Sequence, residues 1–93
     1  MPWIHVTLSQ RVEDAELLAG QLADAAAAAT GLVPADVVVL VTVADACSGS
    51  GAVVTVAGRA RSEVAETGLS DAVRRVIADS TGLGADLVAV VRS

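Results

Sequence analysis

The proline at position 2, directly behind Met1, is the first residue of this chain that could do chemistry. Inside a chain, the proline nitrogen belongs to an amide and carries no proton. Removal of Met1 would turn the same nitrogen into a free secondary amine, a terminal base that can take up and release a proton. The sequence therefore contains a candidate acid or base that exists only if the N-terminus is trimmed.

Few other side chains in the sequence are typical nucleophiles or metal ligands. Cys47 is the only cysteine and His5 the only histidine, too few for a zinc-ligand set. Cys47 has no second base near it in sequence, which favours a passive loop thiol. His5 falls within a predicted strand and fits a core or interface position better than a catalytic one. No metal site and no cofactor are therefore predicted.

The composition predicts one small domain, residues 1–93, that assembles with copies of itself. Hydrophobic residues make up 54% of the chain, although Trp3 is its only aromatic residue. So much apolar surface exceeds what a small monomer can bury. The net charge of -5 argues against nucleic acid and anionic membranes as partners. With no apolar run of spanning length and no secretory signal, we expect a cytoplasmic protein.

Periodicity and turn residues predict one β-α-β unit written twice, over residues 1–46 and 51–93, with a linker at 47–50. "ATGLVPADVVVLV" at 29–41 matches "STGLGADLVAVV" at 80–91, which is one residue shorter. Gly31 and Gly82 are expected to end the two helices in the left-handed conformation. The predicted elements are strands at 3–9, 37–44, 52–58 and 86–91, and helices at 13–30 and 62–81.

Two such units predict an α+β fold, a four-stranded sheet with both helices on one face. A crossover of this length makes the strands of each unit parallel. In the first strand Ile4, Val6 and Leu8 would face the helices, and the intervening residues, including Trp3 and His5, would lie on the opposite face. The strand at 37–44 is apolar at odd and even positions, so that opposite face must also be covered, most simply by other subunits.

The chain resembles the tautomerase superfamily, which includes macrophage migration inhibitory factor-like proteins. The likeness rests on "MP" at 1–2, "VPAD" at 33–36 and "VVTVAGRARSE" at 53–63, together with the duplicated unit. Within the superfamily it is most similar to the branch of malonate semialdehyde decarboxylase and cis-3-chloroacrylic acid dehalogenase. The resemblance implies a homotrimeric, cofactor-free enzyme. It would act on a small anionic 2- or 3-oxo acid, by keto-enol tautomerisation or decarboxylation.

The same resemblance implies roles for four residues. Pro2 would act as acid or base, Arg59 and Arg61 would hold the substrate carboxylate, and Asp36 would assist the proline or a water molecule. Guanidinium groups bind a carboxylate in bidentate fashion, and their charge lowers the pKa of a nearby amine, whereas an aspartate raises it. The chain departs from many tautomerases in having no arginine and no aromatic residue in its second strand.

Strand geometry limits which arginine can act with the proline. Pro2 and Arg11 lie at opposite ends of one strand, about 25–30 Å apart at about 3.3 Å per residue. If the first and third strands are antiparallel, the third strand ends beside Pro2, and Arg59 and Arg61 follow it. A second site at Arg11 would then lack an amine, because Ala52 stands where the first half has its proline.

Structural interpretations remain open beside the catalytic ones. Pro2 also fits an ordinary strand-initiating proline, and Arg59 and Arg61 fit a charged strand end that discourages edge pairing. Asp36 precedes a strand as Asp86 does, which fits a turn role common to both halves. At the level of the whole protein, the alternatives are a catalytically silent trimer that retains Met1 and a dimeric, ferredoxin-like ligand-binding module.

Overall fold

The computed structural model of the protein describes residues 2–46, 48–58 and 62–93. Met1, Cys47, Arg59 and Arg61 lie outside these described residues, together with Ala60. The regular elements are β1 (Trp3–Leu8), α1 (Ala15–Thr30), β2 (Val38–Val43), β3 (Ala52–Ala57), α2 (Glu63–Thr81) and β4 (Val88–Arg92), with a short 3-10 turn at Pro34–Asp36 before β2 and another at Ala85–Leu87 before β4. Among the described residues, no helix is both long and apolar enough to cross a bilayer.

The four strands form one sheet in the order β2-β1-β3-β4. β1 pairs with β2 and β3 pairs with β4 in parallel, and the two central strands, β1 and β3, are antiparallel. This is the predicted duplicated β-α-β architecture. The ferredoxin-like alternative is wrong, because the strands of each unit are hydrogen-bonded neighbours in this sheet.

Both helices cover one face of the sheet, and the core lies between them. On β1 the side chains of Ile4, Val6 and Leu8 are buried beneath the helices, as the alternation predicts. The helices contribute buried stripes at i, i+4 and i+8. Their fully buried members are Leu18, Leu22, Ala26, Leu69, Val73 and Ile77. These small aliphatic residues pack the helices closely onto the sheet without aromatic side chains.

Side-chain and backbone caps define the ends of both helices. Asp14 accepts a hydrogen bond from the backbone N–H of Leu17 at the start of α1, and Ser62 plays the same part for α2. At the C-termini, Gly31 and Gly82 adopt φ of 76°. Both glycines therefore occupy the left-handed position that was predicted for them.

The repeat has a different register in the structure from the one that the sequence match predicts. The turns before β2 and β4 are equivalent, since Asp36 N–H bonds to Val33 O in one and Leu87 N–H bonds to Gly84 O in the other. Leu87, and not Asp86, is therefore the structural counterpart of Asp36. The two aspartates therefore do not occupy equivalent positions, although each lies in the 3-10 turn before its strand, and β4 begins at Val88 instead of 86.

The sheet face opposite the helices, called here the far face, is open in a single chain. Four large apolar side chains on it are about half exposed, namely Trp3 (50%), Leu40 (51%), Val53 (48%) and Val91 (50%). β2 is an edge strand without a buried residue. Its sequence predicts burial on both faces, and a single chain does not provide that burial. The far face is formed by Trp3, His5, Thr7, Val38, Leu40, Thr42, Val53, Thr55, Ala57, Ala89 and Val91.

Candidate functional site

Pro2 lies at one end of the sheet, between the start of β2 and the end of β3. Its side chain is buried, and its carbonyl oxygen accepts a hydrogen bond of 3.0 Å from the N–H of Val38. The next residue, Trp3, pairs with Val38 on β2 and with Ala57 on β3. We call this the proline end of the sheet. The register fixes Pro2 against two neighbouring strands at this end.

Asp36 reaches the proline end through the 3-10 turn that precedes β2. Pro34 begins that turn, and Asp36 closes it two residues before Val38. The carboxylate is exposed. The turn itself is held by backbone hydrogen bonds, from Asp36 to Val33 and from Val37 to Pro34. Because Leu87 occupies the same position before β4, this turn does not require an acidic side chain.

The two predicted substrate arginines follow the end of β3 in the sequence. Ala57, the last residue of β3, pairs with Trp3, and Gly58 follows it. Arg59 and Arg61 come next in the sequence and lie outside the described residues. The antiparallel arrangement of β1 and β3 on which their predicted proximity to Pro2 depends is confirmed.

Arg92 is a basic residue at the proline end that the sequence analysis did not single out. Its Nη2 donates a hydrogen bond of 2.8 Å to the carbonyl oxygen of Gly58 and lies 3.7 Å from Oε1 of Glu66. It pairs with Val56 across the β3–β4 ladder. The arginine itself is visible in the sequence at the end of the last strand. Its contacts with Gly58 and Glu66 are not, because they depend on the pairing of β4 with β3.

Arg11 lies beyond the other end of β1. Pro2 precedes this strand and Arg11 follows it by three residues, so the two lie beyond opposite ends of β1, as predicted. Arg11 contributes to a cavity of about 580 Å³ whose lining includes Ala44 and Asp45, which follow β2. Leu8, near that end, pairs with Ala52. The second pseudo-site therefore has an alanine where the first has Pro2.

His5 belongs to a small polar cluster in the middle of the far face. Its Nε2 lies 3.2 Å from Oγ1 of Thr42, which also lies 3.3 Å from Oγ1 of Thr7. The Thr42 hydroxyl donates to the carbonyl oxygen of Val6, so it accepts from His5 and Thr7. His5 lies on β1 at a position that faces away from the helices, as predicted.

Comparisons with known proteins find similar structures at low sequence identity. No family model and no curated protein sequence matches the chain. A fused 4-OT that forms a symmetric trimer superposes with a TM-score of 0.85, at 22% identity over 98% of this chain and 83% of that one. Pt0534 inactivated by 2-oxo-3-pentynoate gives 0.84, at 19% identity over 98% and 83%.

Malonate semialdehyde decarboxylase, the relative that the sequence motifs indicate, is also similar. Its TM-score is 0.77, at 18% identity over 98% of this chain and 82% of that one. Identities this low establish the architecture and leave the chemistry to the residues. The predicted resemblance is confirmed at that level, and the chain has the fold of the tautomerase superfamily.

Proposed function

We propose that this protein is a tautomerase-superfamily enzyme that uses the amine of Pro2, after removal of Met1, on a small 2- or 3-oxo acid. The observation that carries the proposal is the register of the two central strands. Trp3 pairs with Ala57, so the chain leaves β3 beside Pro2, and Arg59 and Arg61 are one and three residues beyond Gly58. Pro2 and Asp36 thus lie at one end of the sheet, and β3, which Arg59 and Arg61 follow in the sequence, ends there too.

In the proposed mechanism, Arg59 and Arg61 bind the substrate carboxylate and stabilise the negative charge that develops on the enolate. Pro2 moves a proton between carbon and oxygen of the enol, or protonates the carbonyl so that a β-carboxylate can leave. Asp36 assists the amine or a water molecule. The comparison of the two turns supports this role, because Leu87 before β4 occupies the position that Asp36 has before β2.

The proposed assembly is a homotrimer that buries the far face. Trp3, Leu40 and Val53 there are each about half exposed in a single chain, around the polar cluster of His5, Thr7 and Thr42. Several large apolar side chains exposed on one face of a sheet are typical of a subunit interface. The fused 4-OT with a similar fold is a trimer, which supports the same arrangement here.

The substrate class follows from the arginines and from the structural neighbours. A bidentate guanidinium pair fits a carboxylate, and Pt0534 is inactivated by a 2-oxo acid, 2-oxo-3-pentynoate. Malonate semialdehyde decarboxylase, a 3-oxo acid decarboxylase by name, has the same architecture. The β2 strand of this protein, with neither arginine nor aromatic residue, favours substrates with one carboxylate over dicarboxylates.

The first experiment is an intact mass of the protein from its native host, because the proposal requires loss of Met1. A trimmed chain is then treated with 2-oxo-3-pentynoate, and the modified residue is located by peptide mass spectrometry. We expect modification at Pro2, together with turnover of small oxo acids. Pro2→Ala should abolish both and leave the oligomer intact, whereas Arg11→Ala should change turnover little, since Arg11 lies at the other end of β1.

Two results would contradict the proposal. Retention of Met1 would leave Pro2 as an amide and would favour the catalytically silent trimer, for which the absence of arginine from β2 is the supporting observation. Equal loss of turnover in Pro2→Ala and Arg11→Ala would reject the assignment of the site to the proline end.

A further inference from the structure

We infer that Arg92 is a positioning residue that fixes the end of β3 against Pro2. This inference rests on the proposed function, since the segment that it positions leads directly to Arg59. Arg92 Nη2 donates to the carbonyl oxygen of Gly58 at 2.8 Å, and Gly58 is the last described residue before Arg59. Because glycine has a wide choice of backbone conformations, this bond restricts the direction in which the chain leaves the strand.

The same guanidinium group also reaches α2. Its Nη2 lies 3.7 Å from Oε1 of Glu66 in the first turn of that helix, and the two side chains are only 33% and 29% exposed. An ion pair with this degree of burial is screened less by salt than a surface pair. Arg92 therefore contacts the chain on both sides of residues 59–61, at Gly58 before them and at Glu66 after them.

The backbone of β4 holds Arg92 in place. Arg92 pairs with Val56, and the N–H of the following residue, Ser93, donates to the carbonyl oxygen of Val56 at 2.8 Å. The guanidinium is thus anchored by the strand ladder at one end and bound to Gly58 and Glu66 at the other. Arg92 lies on the helix side of the sheet, where its guanidinium group contacts the backbone at Gly58 and the carboxylate of Glu66.

A matched control is available in the same surface. Arg74 on α2 donates from Nε to the carbonyl oxygen of Val88 at 3.1 Å and lies 3.9 Å from Oδ1 of Asp71. It therefore makes the same kinds of contact as Arg92, to a backbone carbonyl and to a carboxylate. Val88 begins β4, whereas Arg92 ends it, so Arg74 acts at the end of the strand remote from Pro2.

The test compares Arg92→Ala, Arg92→Lys and Arg74→Ala in the full chain with Met1 removed. We expect Arg92→Ala to raise KM for an oxo acid about tenfold, the effect of losing one charged hydrogen bond, with a smaller change in kcat. Arg92→Lys should restore part of the loss, and Arg74→Ala should keep the wild-type KM. Equal KM values for Arg92→Ala and Arg74→Ala would overturn the inference.

Hydrogen exchange provides a readout that does not depend on activity. Arg92→Ala should speed amide exchange near Gly58 more than Arg74→Ala does, and unchanged exchange there would also overturn the inference. A wild-type protein that neither turns over oxo acids nor reacts with 2-oxo-3-pentynoate would reject the proposed function instead. In that case the exchange experiment alone decides whether Arg92 fixes the end of β3.

Discussion

Replacement of Val53 by glutamate tests the proposed trimer on the far face. Val53 is 48% exposed in the single chain and pairs with Thr7 on one side and Ala89 on the other. A glutamate there can be solvated in an isolated subunit but not in a buried interface. We expect wild-type protein to sediment as a trimer of about 28 kDa, from three 9.2 kDa chains, and Val53→Glu to sediment as a folded monomer.

The size of the effect follows from the exposed area. Full burial of a valine side chain stabilises by roughly 1.5–3 kcal/mol, so the remaining half of Val53 contributes about 1 kcal/mol per subunit. Three subunits would lose about 3 kcal/mol, a factor of about 100 in the association constant. Each buried carboxylate adds a desolvation cost of several kcal/mol. The trimer of this variant should therefore be absent at micromolar concentration.

Val64→Glu is the matched control, because Val64 is 83% exposed on α2, outside the far face. Sedimentation of wild type and both variants, with circular dichroism to confirm folding, separates loss of assembly from loss of structure. A monomeric wild type would refute the trimer. A trimeric Val53→Glu, or equal dissociation of Val64→Glu, would refute burial of the far face.

Two further predictions follow from the caps and from the corrected repeat. Gly31→Ala and Gly82→Ala should each lower the free energy of unfolding by about 1–2 kcal/mol because φ is 76° at both, whereas Gly68→Ala inside α2 should raise it by up to about 1 kcal/mol. Urea unfolding measures all three, and equal effects would contradict the argument. Asp36→Asn should lower oxo acid turnover by about tenfold or more while Asp86→Asn leaves it unchanged; parallel losses would indicate a common turn role instead.

Most of the fold could be predicted from the sequence, because its signals are local. Alternating apolar residues in β1, glycines at the helix ends and the repeated β-α-β pattern each depend on neighbours a few positions away. The antiparallel pairing of β1 with β3 enters the sequence prediction only as the condition for the third strand to end beside Pro2. The structure confirms this pairing. Aligning the two halves by residue identity placed a one-residue gap in the turn and so matched Asp36 with Asp86. The backbone hydrogen bonds of the two turns require no gap, and they match Asp36 with Leu87.

The sequence by itself determined the candidate chemistry, since a proline behind Met1 and a pair of arginines are visible without any structure. It also determined which face of β1 packs against the helices, because side chains alternate along a strand. Only the tertiary structure decided that Trp3 lies opposite Ala57 and that Arg92 reaches Gly58 and Glu66. Those contacts join residues that are far apart in the chain. Strand order and register bring these residues together, and no local sequence pattern encodes either of them.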